Sequence, residues 1–94
     1  MDTFTKQVRD QLDYDVDFSV WIPEGDIITT SEATLDVTGE LVIDATQIDP
    51  DTGQIIKVWL SGGVDGKTYT ITVVGSTSQG RIKETEFRLR VKDI

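Results

Sequence analysis

Three aspartates near the start of the chain have the spacing of ligands in a Ca²⁺-binding loop. Asp13, Asp15 and Asp17 stand two residues apart, and Glu24 is the twelfth residue counted from Asp13. Such a loop needs Gly at its sixth position for a sharp turn, and Phe18 stands there instead. Apolar residues alternate with the aspartates, as in a strand with one solvated face. We therefore interpret the run as an exposed strand face and expect no metal site.

Two other segments place polar residues and glycines close together. Residues 49–53 read Asp-Pro-Asp-Thr-Gly, and turn chemistry accounts for every residue in that run. Residues 61–63 read Ser-Gly-Gly, without the Gly-Lys-Ser/Thr of a phosphate-binding loop, and they precede a strand rather than a helix. We interpret this second segment as a turn that needs positive φ. Neither segment predicts a cofactor.

The composition excludes several kinds of chemistry. The 94 residues include no Cys and no His, so thiol, imidazole and zinc-finger sites are excluded. The formal net charge of -8 argues against direct binding of nucleic acid, which depends on neutralising phosphates. No apolar run is long enough to span a membrane, and the first residues lack the pattern of a signal peptide. We expect a protein that is not an enzyme and has no catalytic residue and no cofactor.

Five apolar residues are candidate partner contacts. Trp21 and Trp59 fall on the parity of their strands opposite to the apolar neighbours, which is typical of a contact surface. The alternative is that each covers an edge of the core or packs under a loop. Phe4, Val8 and Leu12 stand four residues apart, which favours a short helix; the alternative is a flexible arm that orders against a partner.

The remaining pattern predicts an all-β domain. Val, Ile and Thr make up 33 of the 94 residues, and β-branched side chains suit pleated sheets. Alternating apolar residues between turn signals predict six or seven strands in a two-sheet sandwich over residues 13–94, after an arm or short helix over residues 1–12. The predicted inward residues are Val16, Phe18, Val20, Leu35, Val37, Leu41, Ile43, Val58, Leu60, Tyr69, Ile71, Val73, Phe87, Leu89 and Val91.

Three local details follow from the same pattern. The alternation from Tyr14 to Ile22 predicts one uninterrupted strand. Residues 26–38 are long for a single strand, and we expect a break at Ser31 and Glu32. Ile82 is out of phase with Phe87, which predicts a bulge over residues 83–85.

Charge is unevenly distributed along the chain. Residues 1–53 hold 13 acids and 2 bases, and residues 54–94 hold 4 acids and 7 bases. If the first and last strands are neighbours, opposite charges pair across them. The alternative is that neighbouring copies of the protein meet acidic side to basic side. The candidate pairing residues are Asp13, Asp15, Asp17, Arg88, Arg90 and Lys92.

Residues 65–73 resemble the end of immunoglobulin-like and fibronectin-like sandwiches. In those folds a Tyr near the start of the penultimate strand hydrogen-bonds back across a corner, and Tyr69 is placed to do the same. The Cys pair and the Trp spacing of antibody domains are absent. The resemblance therefore implies the general immunoglobulin-like architecture and a role for Tyr69 in it.

The chain also resembles small proteins encoded in the structural gene modules of tailed bacteriophages and prophages. The similar segments cover residues 12–22, 25–28 and 58–63, the Gly66 to Tyr69 spacing, Gly80-Arg81 and residues 87–91. Such proteins commonly have Trp where Phe18 stands here. The resemblance implies a non-enzymatic virion protein, made in the bacterial host cytoplasm, without a membrane partner.

The resemblance leaves the position on the particle open. Our first hypothesis is a capsid decoration or cement protein, whose residues 1–12 and acidic face contact the major capsid protein or other virion proteins. Copies of the chain itself are a further expected partner. The alternative is a head–tail joining protein or a tail or fibre component, with host-receptor or glycan binding through Trp21 and Trp59.

Overall fold

Seven strands account for the regular secondary structure of the residues that the structure describes. The computed structural model describes residues 3–93, and within them no helix is long and apolar enough to cross a membrane. The strands are β1 (Thr3–Lys6), β2 (Leu12–Asp17), β3 (Ile28–Leu35), β4 (Leu41–Ile48), β5 (Ile55–Gly62), β6 (Thr68–Thr77) and β7 (Ile82–Val91). The predicted all-β fold of six or seven strands is confirmed.

The strands form two sheets that pack face to face. One sheet has four strands in the order β1-β7-β6-β3, and the other has three in the order β2-β5-β4. Every pairing is antiparallel except that of β1 with β7, which is parallel. The inward side chains of β5, β6 and β7 are fully or almost fully buried and form the centre of the core. They are Ile56, Val58, Leu60, Tyr69, Ile71, Val73, Phe87, Leu89 and Val91.

The N-terminal segment differs from the predicted helix or arm. Thr3–Lys6 form strand β1 beside the C-terminal half of β7, with Thr3 opposite Arg88 and Lys6 opposite Val91. Phe4 is partly buried, and its ring lies 5.3 Å from that of Tyr14 and 5.7 Å from that of Phe87. The four-residue spacing of the apolar positions thus comes from a short strand and a turn, because backbone pairing with β7 outweighs the weak helical preference of so short a segment.

The strand predicted from Tyr14 to Ile22 ends early, at Asp17. The Asp17 carboxylate accepts a hydrogen bond from the Ser19 backbone N–H, and the Phe18 carbonyl accepts bonds from the N–H groups of Trp21 and Ile22. This turn reverses the chain, so Val20 is 76% exposed rather than inward as predicted. Residues in a turn no longer alternate between two faces, which is why the period of two fails there.

Further corrections concern Val37 and two strand irregularities. Val37 follows the end of β3 and is exposed, not inward. β3 pairs with β6 through Ser31 and Glu32 without the expected break, and its register shifts earlier, between Ile28 and Thr30. The pairing of β6 with β7 is uninterrupted from the pair Ser76 and Ile82 to the pair Thr68 and Arg90. The bulge expected over residues 83–85 is therefore absent. Ile82 is out of phase because it lies on the solvent-facing side of β7, where it is 75% exposed.

Tyr69 forms the corner that its position predicted. Its hydroxyl accepts a hydrogen bond of 2.9 Å from the backbone N–H of Val64, five residues upstream. The same hydroxyl donates to the Glu40 carboxylate at 2.7 Å, and Lys67 forms a salt bridge to that carboxylate at 3.0 Å. Burial and then the Glu40 contact raise the pKa of Tyr69. The hydroxyl thereby joins the loop before β6 to the start of β4.

The two tyrosines of the chain provide a matched test of this corner. Tyr69→Phe removes two hydrogen bonds from a buried hydroxyl, and we expect it to lower the free energy of unfolding by about 1–3 kcal/mol. The buried hydroxyl of Tyr14 has no hydrogen-bond partner within residues 3–93, so Tyr14→Phe should change stability by less than about 0.5 kcal/mol or raise it. Urea denaturation of both variants measures the difference, and equal losses would contradict the interpretation.

Candidate binding surface

A groove opens between the two sheets on the side of their edge strands β1 and β2. Its volume is about 340 Å³. We call it the edge groove; it is lined by Phe4, Asp15, Val16, Asp17, Val20, Trp21, Thr85, Glu86 and Phe87. β1 pairs with β7 opposite Arg88 to Val91, and the groove lies beside that pairing, between Phe87 of β7 and Val16 of β2. Apolar side chains of both sheets therefore line it.

Trp21 is fixed at one side of the edge groove by aromatic and cationic contacts. Its ring meets that of Phe18 edge to face, with 5.4 Å between the ring centroids. The Lys83 ammonium lies 4.9 Å from the centroid of the Trp21 ring, within the range of a cation–π contact. Trp21 is nevertheless 42% exposed. An indole that is held by its neighbours and still exposed loses little conformational freedom when a partner covers it.

The other candidate partner contacts lie elsewhere. Phe4 lines the edge groove together with Trp21, whereas Val8 packs against the core and Leu12 is exposed at the start of β2. Trp59 is partly buried on the solvent-facing side of β5, where it pairs with Asp13 and with Ala45. The two tryptophans therefore lie on different surfaces and do not form one aromatic site.

The three aspartates of β2 lie on an exposed strand face, as predicted. Lys57 on the neighbouring strand β5 binds two of them, with its ammonium 2.7 Å from the Asp13 carboxylate and 3.0 Å from that of Asp15. The hydrogen bonds to Asp13 and Asp15 raise the pKa of Lys57, and the bond from Lys57 lowers the pKa of Asp13. Within residues 3–93, no group of three or more acidic side chains is arranged to hold a metal ion.

The predicted charge pairing between these aspartates and the C-terminal cations is wrong. β2 and β7 belong to different sheets, and β1 is the strand that lies beside β7. Arg88 and Arg90 stand opposite Thr3 and Thr5, on the solvent-facing side of the four-stranded sheet, and Lys92 follows β7. None of the three cations takes part in a salt bridge within the described residues. The acidic strand and the basic strand end therefore face solvent on opposite sides of the sandwich.

The turn at residues 49–53 has the predicted geometry; at residues 61–63 the positive φ is confirmed, but Ser61 and Gly62 are the last residues of β5 and pair with β4 rather than forming a turn. Asp49 accepts hydrogen bonds from the Thr52 hydroxyl at 2.8 Å and the Asp51 backbone N–H at 3.3 Å. Gly62 and Gly63 have φ values of 77° and 97°. A Cβ on Gly63 would lie 2.7 Å from the Val91 side chain, so this position requires Gly for space as well as for conformation.

Two buried charged residues, Lys6 and Asp26, were missed by sequence reasoning. Lys6 on β1 is 1% exposed, and its ammonium donates to the backbone carbonyls of Gln7, Val8 and Gly62. Asp26 is fully buried and binds the hairpin between β6 and β7. Lys6 has the same strand parity as Phe4, which faces inward, and this pattern could have identified Lys6 as buried. A single Lys is, however, ordinarily exposed to solvent, so the pattern was not read that way.

Solved structures of other proteins share this fold at low sequence identity. The cysteine protease inhibitor EhICP2 from Entamoeba histolytica superposes with a TM-score of 0.59 at 14% identity, over 96% of this chain and 84% of the inhibitor. A 2,6-sialyltransferase from Photobacterium sp. JT-ISH-224 gives a TM-score of 0.52 at 17% identity, over 97% of this chain and 17% of the enzyme. Identities this low show a common fold and nothing about activity.

A family model identifies the chain more directly. No curated protein sequence matches closely enough to count as a relative. The model of the podophage GP4 fiber-tail adaptor protein gp77, in contrast, matches residues 6–90, from the last residue of β1 almost to the end of β7. The match includes both sheets and most of the edge groove. The chain therefore belongs to the family of the podophage GP4 fiber-tail adaptor protein gp77 and is a small structural protein of a bacteriophage virion.

Proposed function

We propose that the protein is an adaptor that joins tail fibres to the tail of the virion and that it acts through binding alone. The observation that carries this proposal is the family match over residues 6–90. That family description favours the tail or fibre position over the capsid decoration role that we first expected. The partners are then proteins of the tail and the fibre rather than the major capsid protein.

The sandwich has the physical properties that an adaptor needs. Its two sheets pack on a core whose central residues are almost fully buried, so the body can transmit force between two partners without rearranging. Asp13 and Asp15 face solvent from the three-stranded sheet, and Arg88 and Arg90 face solvent from the four-stranded sheet. Opposite surfaces of different charge suit two different partners and orient the adaptor between them.

Particles that lack the protein test the proposal. We expect phage produced with the gene inactivated to have filled heads and tails but no attached fibres in electron micrographs. Addition of the purified 94-residue chain should restore attachment, because binding alone is required. The copy number in wild-type particles, measured by quantitative mass spectrometry, should follow the number of fibres.

Two outcomes would contradict the adaptor role. Particles that keep their fibres but have heads sensitive to heat would support capsid decoration instead. A copy number that follows the number of capsid subunits would also support capsid decoration, since a protein that bridges shell subunits must be present at every equivalent site of the shell.

A further inference from the structure

The solvent-facing side of β7 carries opposite charges in its two halves. Glu84 and Glu86 lie in the first half and Arg88 and Arg90 in the second, and all four residues are exposed. We call these four the charged strip; none of them takes part in a salt bridge within residues 3–93. Phe87, which is buried, lies at the midpoint of the strip. Residues at equal distances on the two sides of Phe87 therefore carry opposite charges.

The strands beside β7 present short, uncharged side chains on the same face. On β1, Thr3 stands opposite Arg88 and Thr5 opposite Arg90. On β6, the residues opposite the charged strip, from Glu84 to Arg90, are Val74, Thr72, Thr70 and Thr68. Short side chains allow a second sheet to approach to the distance of about 10 Å at which sheets pack. The charged strip thus stands on a flat face whose neighbouring positions are neutral.

The charged strip is complementary to a second copy of itself. A two-fold axis that lies between two such faces, and crosses β7 at Phe87 at a right angle to the strand, stacks the two β7 strands antiparallel. Glu84 of each copy then faces Arg90 of the other, and Glu86 faces Arg88. An axis along the strand stacks them parallel and brings like charges together, which is unfavourable. The order of the charges therefore selects the antiparallel arrangement.

The face that such a contact covers has the size of a small specific interface. The strands β1, β7, β6 and β3 have 4, 10, 10 and 8 residues. Each strand residue occupies about 16 Å² of a sheet, since the rise is about 3.4 Å and the strand spacing about 4.8 Å. The face therefore measures about 500 Å² in each copy. Two copies cover about 1,000 Å², which is near the lower limit for a specific interface, so the paired charges carry much of the affinity.

We infer that the outer face of the four-stranded sheet is a self-association surface, at which two copies of the chain stack with their β7 strands antiparallel and joined by four Glu–Arg pairs. The inference goes beyond the proposed adaptor function, because it assigns a second copy of the chain as the partner of the surface that carries Arg88 and Arg90. The acidic outer face of the three-stranded sheet stays open in this dimer for a protein of the tail or the fibre.

Sedimentation equilibrium of the purified 94-residue chain tests the inference. We expect wild type to form dimers at about 100 µM in low salt and to dissociate as the ionic strength rises, because salt screens the Glu–Arg pairs. The double variant Glu84→Arg with Glu86→Arg has four like charges in the strip, so its dissociation constant should rise by roughly tenfold or more. Its net charge is less negative than the -8 of wild type, so repulsion between whole molecules does not account for that loss.

Further variants separate the charged strip from other effects of substitution. The double variant Arg88→Glu with Arg90→Glu should also be monomeric alone, but an equimolar mixture of the two double variants should form dimers, because four cations then face four carboxylates. A variant with all four substitutions reverses the order of the charges at unchanged net charge and should dimerise as wild type does. The control, Glu24→Arg with Asp51→Arg, makes the first double variant's change of charge in exposed turns and should leave dimerisation unchanged.

A distance between two spin labels reports the direction of stacking. The chain has no Cys, so Ile82→Cys, at an exposed position five residues from Phe87, takes a single nitroxide label. Antiparallel stacking places the two labels of a dimer about 34 Å apart, which is ten residues of strand, whereas parallel stacking brings them within about 15 Å. We expect the longer distance in pulsed electron paramagnetic resonance.

Several results would overturn the inference, provided that circular dichroism shows each variant to be folded. They are a wild-type chain that stays monomeric in low salt, double variants that dimerise as well as wild type, a mixture of the double variants that stays monomeric, and the shorter label distance. All these measurements use the isolated chain, whereas the adaptor function is tested on particles. Either proposal can therefore fail while the other stands.

Discussion

Asp26→Asn is expected to lower the midpoint temperature of unfolding by roughly 10 °C or more, among the largest effects of any single substitution in this chain. The Asp26 carboxylate is fully buried. It accepts hydrogen bonds from the Ser78 hydroxyl at 3.1 Å, the Arg81 guanidinium at 3.0 Å and the Gln79 backbone N–H at 3.3 Å. The Asn amide retains part of the shape but loses the charge, which leaves these donors poorly satisfied. Thermal unfolding followed by circular dichroism measures the change.

The same substitution should alter the response to acid. Burial raises the pKa of Asp26, but hydrogen bonds from Thr77, Arg81, Ser78 and Gln79 outweigh it and hold the pKa below the ordinary value of 3.8. A lowered pKa in the folded state means that the stabilisation is fully present above 3.8 and is lost as the pH falls through the lower folded-state value. Asp26→Asn should therefore remove part of the fall in stability that wild type shows below about pH 4.

An exposed aspartate provides the control for both measurements. Asp51→Asn changes the same charge in the turn before β5, where the side chain faces solvent, and should shift the midpoint by no more than about 2 °C. Equal shifts in the two variants, or an unchanged acid response in Asp26→Asn, would show that the buried carboxylate does not anchor the hairpin between β6 and β7.

The central strands could be predicted from the sequence because each has one buried and one exposed face. In β6 and β7 the inward residues, such as Ile71, Val73 and Leu89, alternate with polar ones, and the structure buries every residue of that parity from Phe87 to Val91. The Tyr69 corner was equally accessible, since its hydroxyl bonds to a backbone group only five residues away. Both signals are local in sequence, which is why a single chain reveals them.

The terminal strand and the charge pairing could not be predicted because they depend on partners far away in sequence. β1 is defined by β7, at a separation of 85 residues from Thr3 to Arg88. β1, not β2, lies beside β7, and β2 lies beside β5 in the other sheet. Asp13 and Asp15 of β2 therefore bind Lys57 on β5. Nothing in the local pattern distinguishes this arrangement from one in which β2 lies beside β7.

Only part of the candidate site could be predicted from the sequence, for a similar reason. Phe4 was identified from its spacing to Val8 and Leu12, Trp21 from its type and parity, and both line the edge groove. Val16, Val20 and Phe87 were assigned to the core, yet they also line it. The groove is formed by side chains from β1, β2, β7 and the turn after β2, and these come together only once the pairing of the strands is known.

Lys6→Met is expected to destabilise the protein by about 3 kcal/mol and to loosen β1 selectively. An ammonium group has three donors, and Lys6 uses them on the carbonyls of Gln7 and Gly62 at 2.6 Å and of Val8 at 3.1 Å. Met has a similar length and packs as well, but it donates no hydrogen bond, so the three carbonyls lose their charged donor. Because Gly62 ends β5, this contact joins β1 in one sheet to the other sheet.

Lys92→Met separates the buried role of Lys6 from a simple change of charge. Lys92 is exposed and follows β7, so its substitution should change the free energy of unfolding by less than about 0.5 kcal/mol.

Urea denaturation gives the stability of each variant, and amide exchange shows which strand is affected. In Lys6→Met we expect faster exchange in Thr3–Lys6 than in β6, because loss of the anchor frees β1 before the core opens. Uniformly faster exchange, or equal losses in the two variants, would contradict an anchoring role. Selective loss of β1 would also expose the edge of β7 at residues 88–91 and remove Phe4 from the lining of the edge groove, since β1 pairs with β7 there and carries Phe4.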